Sequence, residues 1–422
     1  MTRLLAFTLL IATAAFGQEH WVATWGTAEQ AVVTAGARGA SGLSRGIVPA
    51  PPGDPARRFP IPPTLVGIDN QTVRMVVRSS LGGSRVRVRL SNAAGGASVS
   101  LGAAHIALRE KDSSIVASSD HALTFSGKGA ATIYAGEVLV SDPVNLDIGA
   151  LTDIAVSLYF PKQTSTATNH RFSLHDTYVS KDGDFTSAAS IADPMEVVQS
   201  YYYLAGVDVM APANAGTVVT FGDSITDGDQ SSNNTNSEWP AVLAARLQKN
   251  KATAHVAVVN AGISGNRILG DNGGGLARMF HDALDQPGVK WVTLLEGIND
   301  ITGGTRANAP GNFSADDLIS AYRQMIAMAH GMGVKIIGCT LTPFNGSSAF
   351  NERGEEIRSA VNKFIRSSGE FDAVIDFDAA VRDSQNPLQY RKEADSPDHL
   401  HPGDAGYKLM GDSIALTIFS SR

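Results

Sequence analysis

The chain has 422 residues, enough for two cores, and its 43% hydrophobic and 18% charged composition is that of a packed globular protein. Its 34 basic and 41 acidic residues give a formal charge of −7, with no lysine or arginine cluster. That balance argues against a nucleic-acid partner. The lone cysteine, Cys339, excludes an internal disulfide; it lies in the apolar run Lys335–Thr340 and is expected in the core.

In chain order, Arg3 is followed by the apolar run Leu4 to Ala15 and the small-residue stretch Ala15-Phe16-Gly17. The run has the length of a signal-peptide core and is too short to span a bilayer. Residues 1–17 are therefore expected to be a secretory signal cut near Gly17, leaving the mature protein periplasmic or outside the cell. No later segment is apolar enough for a membrane anchor.

Residues 18–210 read as strands. Val73, Met75 and Val77 alternate with Thr72, Arg74 and Val76, and Val86, Val88 and Leu90 alternate with Arg85, Arg87 and Arg89. That period predicts strands with one buried and one wet face. Ser79 to Ser84 is turn-rich and predicts a hairpin between them. Further strands are expected at Ala131–Tyr134, Ile154–Phe160 and around Tyr201–Leu204. A β-sandwich, jelly-roll-like, is the expected architecture. Trp21 and Trp25 read as core rather than sugar platforms, and His170 and His175 as structural or surface residues. Ala35 to Pro63, rich in Gly, Pro, Ala and Arg, reads equally as a surface loop or a lid.

The texture changes at the linker-like run Ala211–Gly216, and residues 211–422 alternate strand and helix. Strands are predicted at Thr217–Phe221, Val256–Asn260, Trp291–Leu295, Val334–Leu341 and Ala373–Phe377. Helices are predicted at Glu238–Lys249, Leu276–Leu284, from an N-cap at Ser314 to Gly331, at Glu355–Ser367 and at Ala405–Phe419. Such alternation specifies an α/β fold, a parallel sheet covered by helices on both faces. Ligands in such sheets sit at the carboxyl ends of the strands.

The chemistry-bearing residues fall at those ends. Ser224 directly follows the first strand, where a strand-to-helix turn can present a hydroxyl to a base. Asp398-His399-Leu400-His401 precedes the last helix. An Asp three residues before a His can hold the imidazole tautomer, which makes His401 the base and Asp398 its orienter. His399 competes for the base role, and Asp395 and Asp404 for the orienter. A metal reading of the same cluster lacks a second group of ligands with the right spacing. Asn260–Arg267 and Glu296–Asp300 follow two other strands and offer glycine N–H groups and the Asn299 amide to an oxyanion. Asp223 and Asp227 are expected to brace the serine turn. Arg267 is expected to bind substrate oxygens or to pair with a carboxylate such as Glu296, with pairing favoured.

Four separated blocks, Gly222-Asp223-Ser224, Gly265, Gly297-Ile298-Asn299-Asp300 and Asp398-His399-Leu400-His401, resemble the signature of the GDSL or SGNH hydrolase superfamily over about Thr217–Phe419. The runs Asn260–Leu269 and Leu294–Ile301 resemble its bacterial arylesterase-like acylhydrolases with a β-rich N-terminal domain. The resemblance implies a flavodoxin-like three-layer sheet and no cofactor or metal. It implies ester hydrolysis by Ser224, His401 and Asp398, with Ser224 N–H, Gly265 N–H and Asn299 as the oxyanion hole. Gly262 is the alternative to Gly265. The expected substrate is a short acyl ester, acetyl above all, on a small molecule or on plant polysaccharide. A lipase, arylesterase, thioesterase or acyltransferase is the alternative within the chemistry, and a carbohydrate-binding protein the alternative outside it. No pattern in the chain points to an oligomeric state.

Overall fold

The computed structural model describes residues 19–31, 67–164, 168–270, 273–309 and 311–420. The expected signal segment 1–17 and the Ala35–Pro63 stretch lie outside those residues. No helix among the described residues is long and apolar enough to cross a membrane.

The β-rich half consists mainly of two packed antiparallel sheets. One contains Trp21–Gly26, Leu204–Met210 and Gly83–Ser91 as neighbours. In the other, Gln71–Arg78 lies between Asp153–Phe160 and Thr177–Asp182. Val86, Val88 and Leu90 of the first share an apolar core with Val73, Met75 and Val77 of the second. The two alternating runs are strands, but not a hairpin, because they belong to different sheets. The segment between them is a corner. Ser79 Oγ donates to the Gly149 carbonyl at 2.7 Å and Ser80 Oγ to the Thr24 carbonyl at 2.5 Å. These buried contacts hold the chain away from a tight reversal.

The expected wet face also fails for Gln71–Arg78, which is buried on both sides. Arg74 is fully buried between Ser157 Oγ at 2.8 Å and the Ser113 and Ala188 carbonyls at 2.7 Å. Its partners are neutral, so burial pushes the guanidinium pKa down to about 10.

The second half is a five-stranded parallel sheet, β1 (Gly216–Gly222), β2 (Val256–Gly262), β3 (Val289–Leu295), β4 (Lys335–Cys339) and β5 (Ala373–Ile375), in the order 2-1-3-4-5. The helices are α1 (Ser224–Asp227), α2 (Trp239–Lys249), α3 (Gly275–Met279), α4 (Ile298–Gly304), α5 (Ala315–Gly331), α6 (Glu352–Ser367), α7 (Phe377–Val381) and α8 (Asp404–Ser413). They pack in two groups, α2 and α7 against α8, and α3 with α5, α4 and α6. Cys339 is buried in this core. Ser314 and Asp317 form a reciprocal cap on α5. The predicted helix at 276–284 is α3 continued by a π turn at Phe280–Leu284. The predicted last helix is shorter than expected. It stops at Ser413, and a separate turn follows at Leu416–Phe419. Arg246 takes the Gly411 carbonyl at 2.5 Å and the Ile414 carbonyl at 2.8 Å, which closes α8 there.

The halves interlock. The outer edge of β2 is covered by Ser80, whose Oγ accepts the Val258 N–H at 2.8 Å, so the sheet edge is not left open. The interface also holds an open pocket of about 450 Å³ lined in part by Trp25, Arg78, His175 and Glu238. Beside it, His170 of the β-rich half is buried between two acceptors. Nδ1 lies 2.9 Å from the Ala28 carbonyl and Nε2 3.0 Å from Asp227 Oδ1 at the end of α1. Both ring nitrogens must donate, so the ring is an imidazolium. Burial opposes that charge, but Asp227 and the Ala28 carbonyl outweigh it and raise the pKa.

His170→Ala strands the Asp227 carboxylate and is expected to destabilise the protein by about 3–5 kcal/mol, seen as a lower thermal midpoint. Because the folded pKa is raised, the stabilisation is fully present below about pH 6.5 and is lost as pH rises through the folded value. A midpoint gap between wild type and His170→Ala that does not shrink with rising pH contradicts the imidazolium assignment.

Candidate active site

β1 runs without a break into the turn that presents Ser224. Asp223 has extended backbone, and its carboxylate accepts the Ile225 N–H at 3.1 Å, capping α1. Buried beneath the turn, Asp223 is pushed up to about 7. A Cβ at Gly222 would sit 2.2 Å from the Leu295 carbonyl, so β1 can approach β3 there only with glycine.

The serine meets a histidine. Ser224 Oγ is 2.7 Å from His401 Nε2, and His401 Nδ1 is 2.7 Å from Asp398 Oδ2. Asp398 Oδ1 also accepts the Leu400 N–H at 2.9 Å and the His401 N–H at 3.0 Å. Burial works against the Asp398 carboxylate, but these donors, the His401 ring first, hold its pKa well below the usual range. His399, the competing base, lies apart from the serine. It turns outward in the left-handed region (φ 55°) and pairs with Asp395 at 2.6 Å. Asp404, the other competing orienter, accepts the Ser232 N–H and hydroxyl. A further carboxylate was not foreseen as part of the site: Asp229 Oδ2 lies 3.8 Å from His401 Nε2. Burial lowers the His401 pKa, but Asp229 and then Asp398 raise it more, to about 9.

Three N–H groups converge here without an acceptor. The Ser224 and Gly265 amides donate to no described residue. Asn299 Nδ2 gives one hydrogen to the Asn266 carbonyl at 2.9 Å and keeps the other. Gly265 has φ +79° and open space where a side chain would lie. Gly262 does different work. Its N–H is bound to Asn260 Oδ1 at 3.0 Å, and a Cβ there would meet the Asp227 amide at 2.2 Å. Gly265, not Gly262, therefore faces the serine cleft.

The loop carrying Gly265 is fixed from three sides. Asp227 Oδ2 accepts the Ser264 N–H at 2.8 Å and hydroxyl at 2.7 Å, so this aspartate braces more than its own turn. Asp300 accepts the Ile268 and Leu269 N–H groups, both at 2.9 Å, and burial pushes it up to about 6. Arg278 donates to Asn266 Oδ1 at 2.7 Å and to the Ala261 and Gly222 carbonyls at 2.8 Å, with Asp282 at 3.2 Å and Glu296 at 3.5 Å. Burial pushes Glu296 up to about 8 in spite of Arg278.

Arg278 is thus the partner of Glu296, and the expected pairing of Arg267 with Glu296 is not formed. Sequence reasoning passed over Arg278. An arginine with an aspartate four residues on, inside the apolar stretch Leu276–Leu284, was the available signal. The cleft over Ser224 has a volume of about 630 Å³ and is lined by Asn299, Arg267 and Phe350, among others. The β-rich half contributes Arg171 and Phe172, which adjoin the strand Thr168–His170. Trp25 does not line this cleft and packs edge-on against Tyr201 at 5.0 Å; Trp21 lies under the Arg87 guanidinium at 4.5 Å.

Residues 220–409 match the GDSL-like Lipase/Acylhydrolase family. No curated protein matches the chain. Among solved structures, a GDSL-like lipase from Bacteroides thetaiotaomicron is 19% identical with TM-score 0.36, covering 48% of this chain and 87% of that one. The acetyl xylan esterase AlAXEase is 22% identical with TM-score 0.36, covering 47% and 96%. The aryl esterase of M. smegmatis is 16% identical with TM-score 0.36, covering 47% and 96%. With the family match spanning every strand-end loop described above, the chain carries a GDSL-like lipase/acylhydrolase domain and is a carboxylic ester hydrolase.

Proposed function

We propose that the chain is an exported serine esterase that removes short acyl groups, acetyl above all, from hydroxylated substrates of the plant-polysaccharide kind. The continuous chain Ser224–His401–Asp398, ending beside three unclaimed N–H donors, carries this reading. His401 takes the Ser224 proton as Oγ attacks the ester carbonyl. The tetrahedral oxygen is received by the Ser224 and Gly265 amides and Asn299. His401 then protonates the leaving alcohol, and activates water to free the acid and Ser224. Asp398 keeps the Nδ1–H tautomer throughout and supports the imidazolium.

The cleft supports a small acyl group on a hydroxylated alcohol. Ser264, Asn299, Thr302, Thr305, Ser348 and Asn351 place hydroxyls and amides along its wall beside apolar groups such as Phe172, Phe350 and Leu400, a mixture that suits the hydroxyls and ring faces of a sugar. Export rests on the Arg3 and Leu4–Ala15 pattern.

Ser224→Ala is expected to lower kcat on 4-nitrophenyl acetate about 10⁴-fold or more while leaving the protein folded. Asn299→Ala is expected to lower kcat about 10²–10³-fold with a smaller change in KM. Acid release from acetylated xylan, against 4-nitrophenyl esters of increasing chain length, tests the substrate; better turnover of the longest esters contradicts the short-acyl reading.

The base must be neutral to act, so the rising limb of kcat/KM against pH follows the His401 pKa of about 9 in the free enzyme. Asp229→Asn removes an anion that stabilises the imidazolium and is expected to move that limb to lower pH. A limb that stays in place removes Asp229 from the proton balance of the site.

A further inference from the structure

Arginine pairing among the described residues is nearly complete, and its exceptions share one place. Among the described residues, Arg74, Arg109, Arg246, Arg278 and Arg358 are all engaged by carbonyls or carboxylates. So are the exposed or half-buried Arg323, Arg353, Arg366, Arg382 and Arg391. Arg78, Arg85, Arg87 and Arg89 are paired as well. Arg171, Arg267 and Arg306 alone have guanidinium groups with no hydrogen bond or ion pair to a described residue, and all three line the cleft over Ser224.

They come from three separate segments: beside the strand Thr168–His170, from the loop after β2, and from the chain after α4. Among the described residues, the only carboxylate on the cleft wall is Asp229, which faces His401. Asp300 acts on Arg267 through space, but its oxygens are already held by the Ile268 and Leu269 amides. Gly303 leaves Arg267 room to lie against α4, since a Cβ there would sit 2.4 Å from the guanidinium. Arg171 is half-buried, and burial lowers its pKa with no compensating anion. A partly dehydrated guanidinium without a counter-charge is costly, and its fork of donors matches an oxyanion.

We propose that the substrate is an anionic ester: the acylated molecule carries a second oxyanionic group, a carboxylate in the first instance, that Arg171, Arg267 and Arg306 receive while the ester carbonyl lies at Ser224. An acylated sugar acid has this chemistry, with hydroxyls for the serine, threonine and asparagine side chains of the wall and a carboxylate for the arginines. Arg171 gives the β-rich half a direct part in selecting substrate. The inference rests on Ser224 being the reacting group of this cleft.

The test compares kcat/KM on O-acetyl methyl glucoside, O-acetyl glucuronate and an O-acetyl glucose sulfate, with 4-nitrophenyl acetate as a neutral control. The charged sugars are expected to exceed the neutral sugar by about tenfold or more, mainly through KM, and added salt is expected to shrink that ratio. Arg306→Gln, at an exposed position, and Arg171→Gln are each expected to lower the charged-to-neutral ratio several-fold. A carboxylate preference over sulfate identifies a sugar acid, and the reverse a sulfated sugar; both support an anion site. Equal kcat/KM for charged and neutral sugars, or a ratio untouched by both substitutions, overturns the proposal. Binding of free glucuronate to Ser224→Ala, by calorimetry, reads the same site without turnover. Lack of hydrolysis of every ester, the control included, counts against the esterase reading, and glucuronate binding to Ser224→Ala then still decides the anion site.

Discussion

One buried guanidinium ties together the carboxyl ends of the parallel strands. Arg278 reaches the last carbonyl of β1 at Gly222, the Ala261 carbonyl of β2, Asn266 in the following loop and Glu296 after β3. Its face lies 3.8 Å from the Phe221 ring centroid, and the ring offsets part of the dehydration cost. A buried charge is tolerated only when its donors are satisfied, and here satisfaction fixes three strand ends at once. The reach continues outward. Asn266 takes Arg278 on its side chain and offers its carbonyl to Asn299. Packing therefore holds the Asn299 amide and the Gly265 loop in place beside Ser224, which is the preorganisation that the proposed oxyanion hole requires.

The β-rich half acts on the same loop from the opposite side. His170 holds Asp227, and Asp227 holds both the backbone and the hydroxyl of Ser264, one residue before Gly265. Neighbouring Arg171 and Phe172 reach the cleft wall. The two halves thus share a site rather than standing as a catalyst with an appended module. The pairing of His170 with Asp227 also links the loop proposed to hold the oxyanion to a charged histidine outside the cleft over Ser224.

Much of this was legible in the residues because local pattern and global fold agree. Short apolar runs such as Thr217–Phe221, spaced between helical patterns, read as inner strands, and the four motif blocks fall on loops that a parallel sheet brings to one edge. Alternation does not say which strand lies beside which, so Gln71–Arg78 and Gly83–Ser91 read as a hairpin although buried Ser79 and Ser80 turn the chain between sheets. Arg74 read as a wet-face residue because its neutral carbonyl partners come from Ser113 and Ala188, far along the chain. The same holds for Arg278 and His170: each is defined by partners that local spacing cannot reveal. Asp398 and His401 were found because their pairing is local, three residues apart, and only the 2.7 Å contact with Ser224 needed the fold.

Every role proposed in this cleft depends on Ser224 being the attacking nucleophile, activated by His401. Treating the folded protein with an alkyl 4-nitrophenyl phosphonate and mapping the adduct by peptide mass spectrometry tests this most directly. The expected result is a single phosphonyl adduct on Ser224, formed in step with loss of esterase activity, much slower in His401→Gln and absent in Ser224→Ala. Loss of activity with the adduct on another residue, or labelling of Ser224 at the same rate without His401, would contradict it.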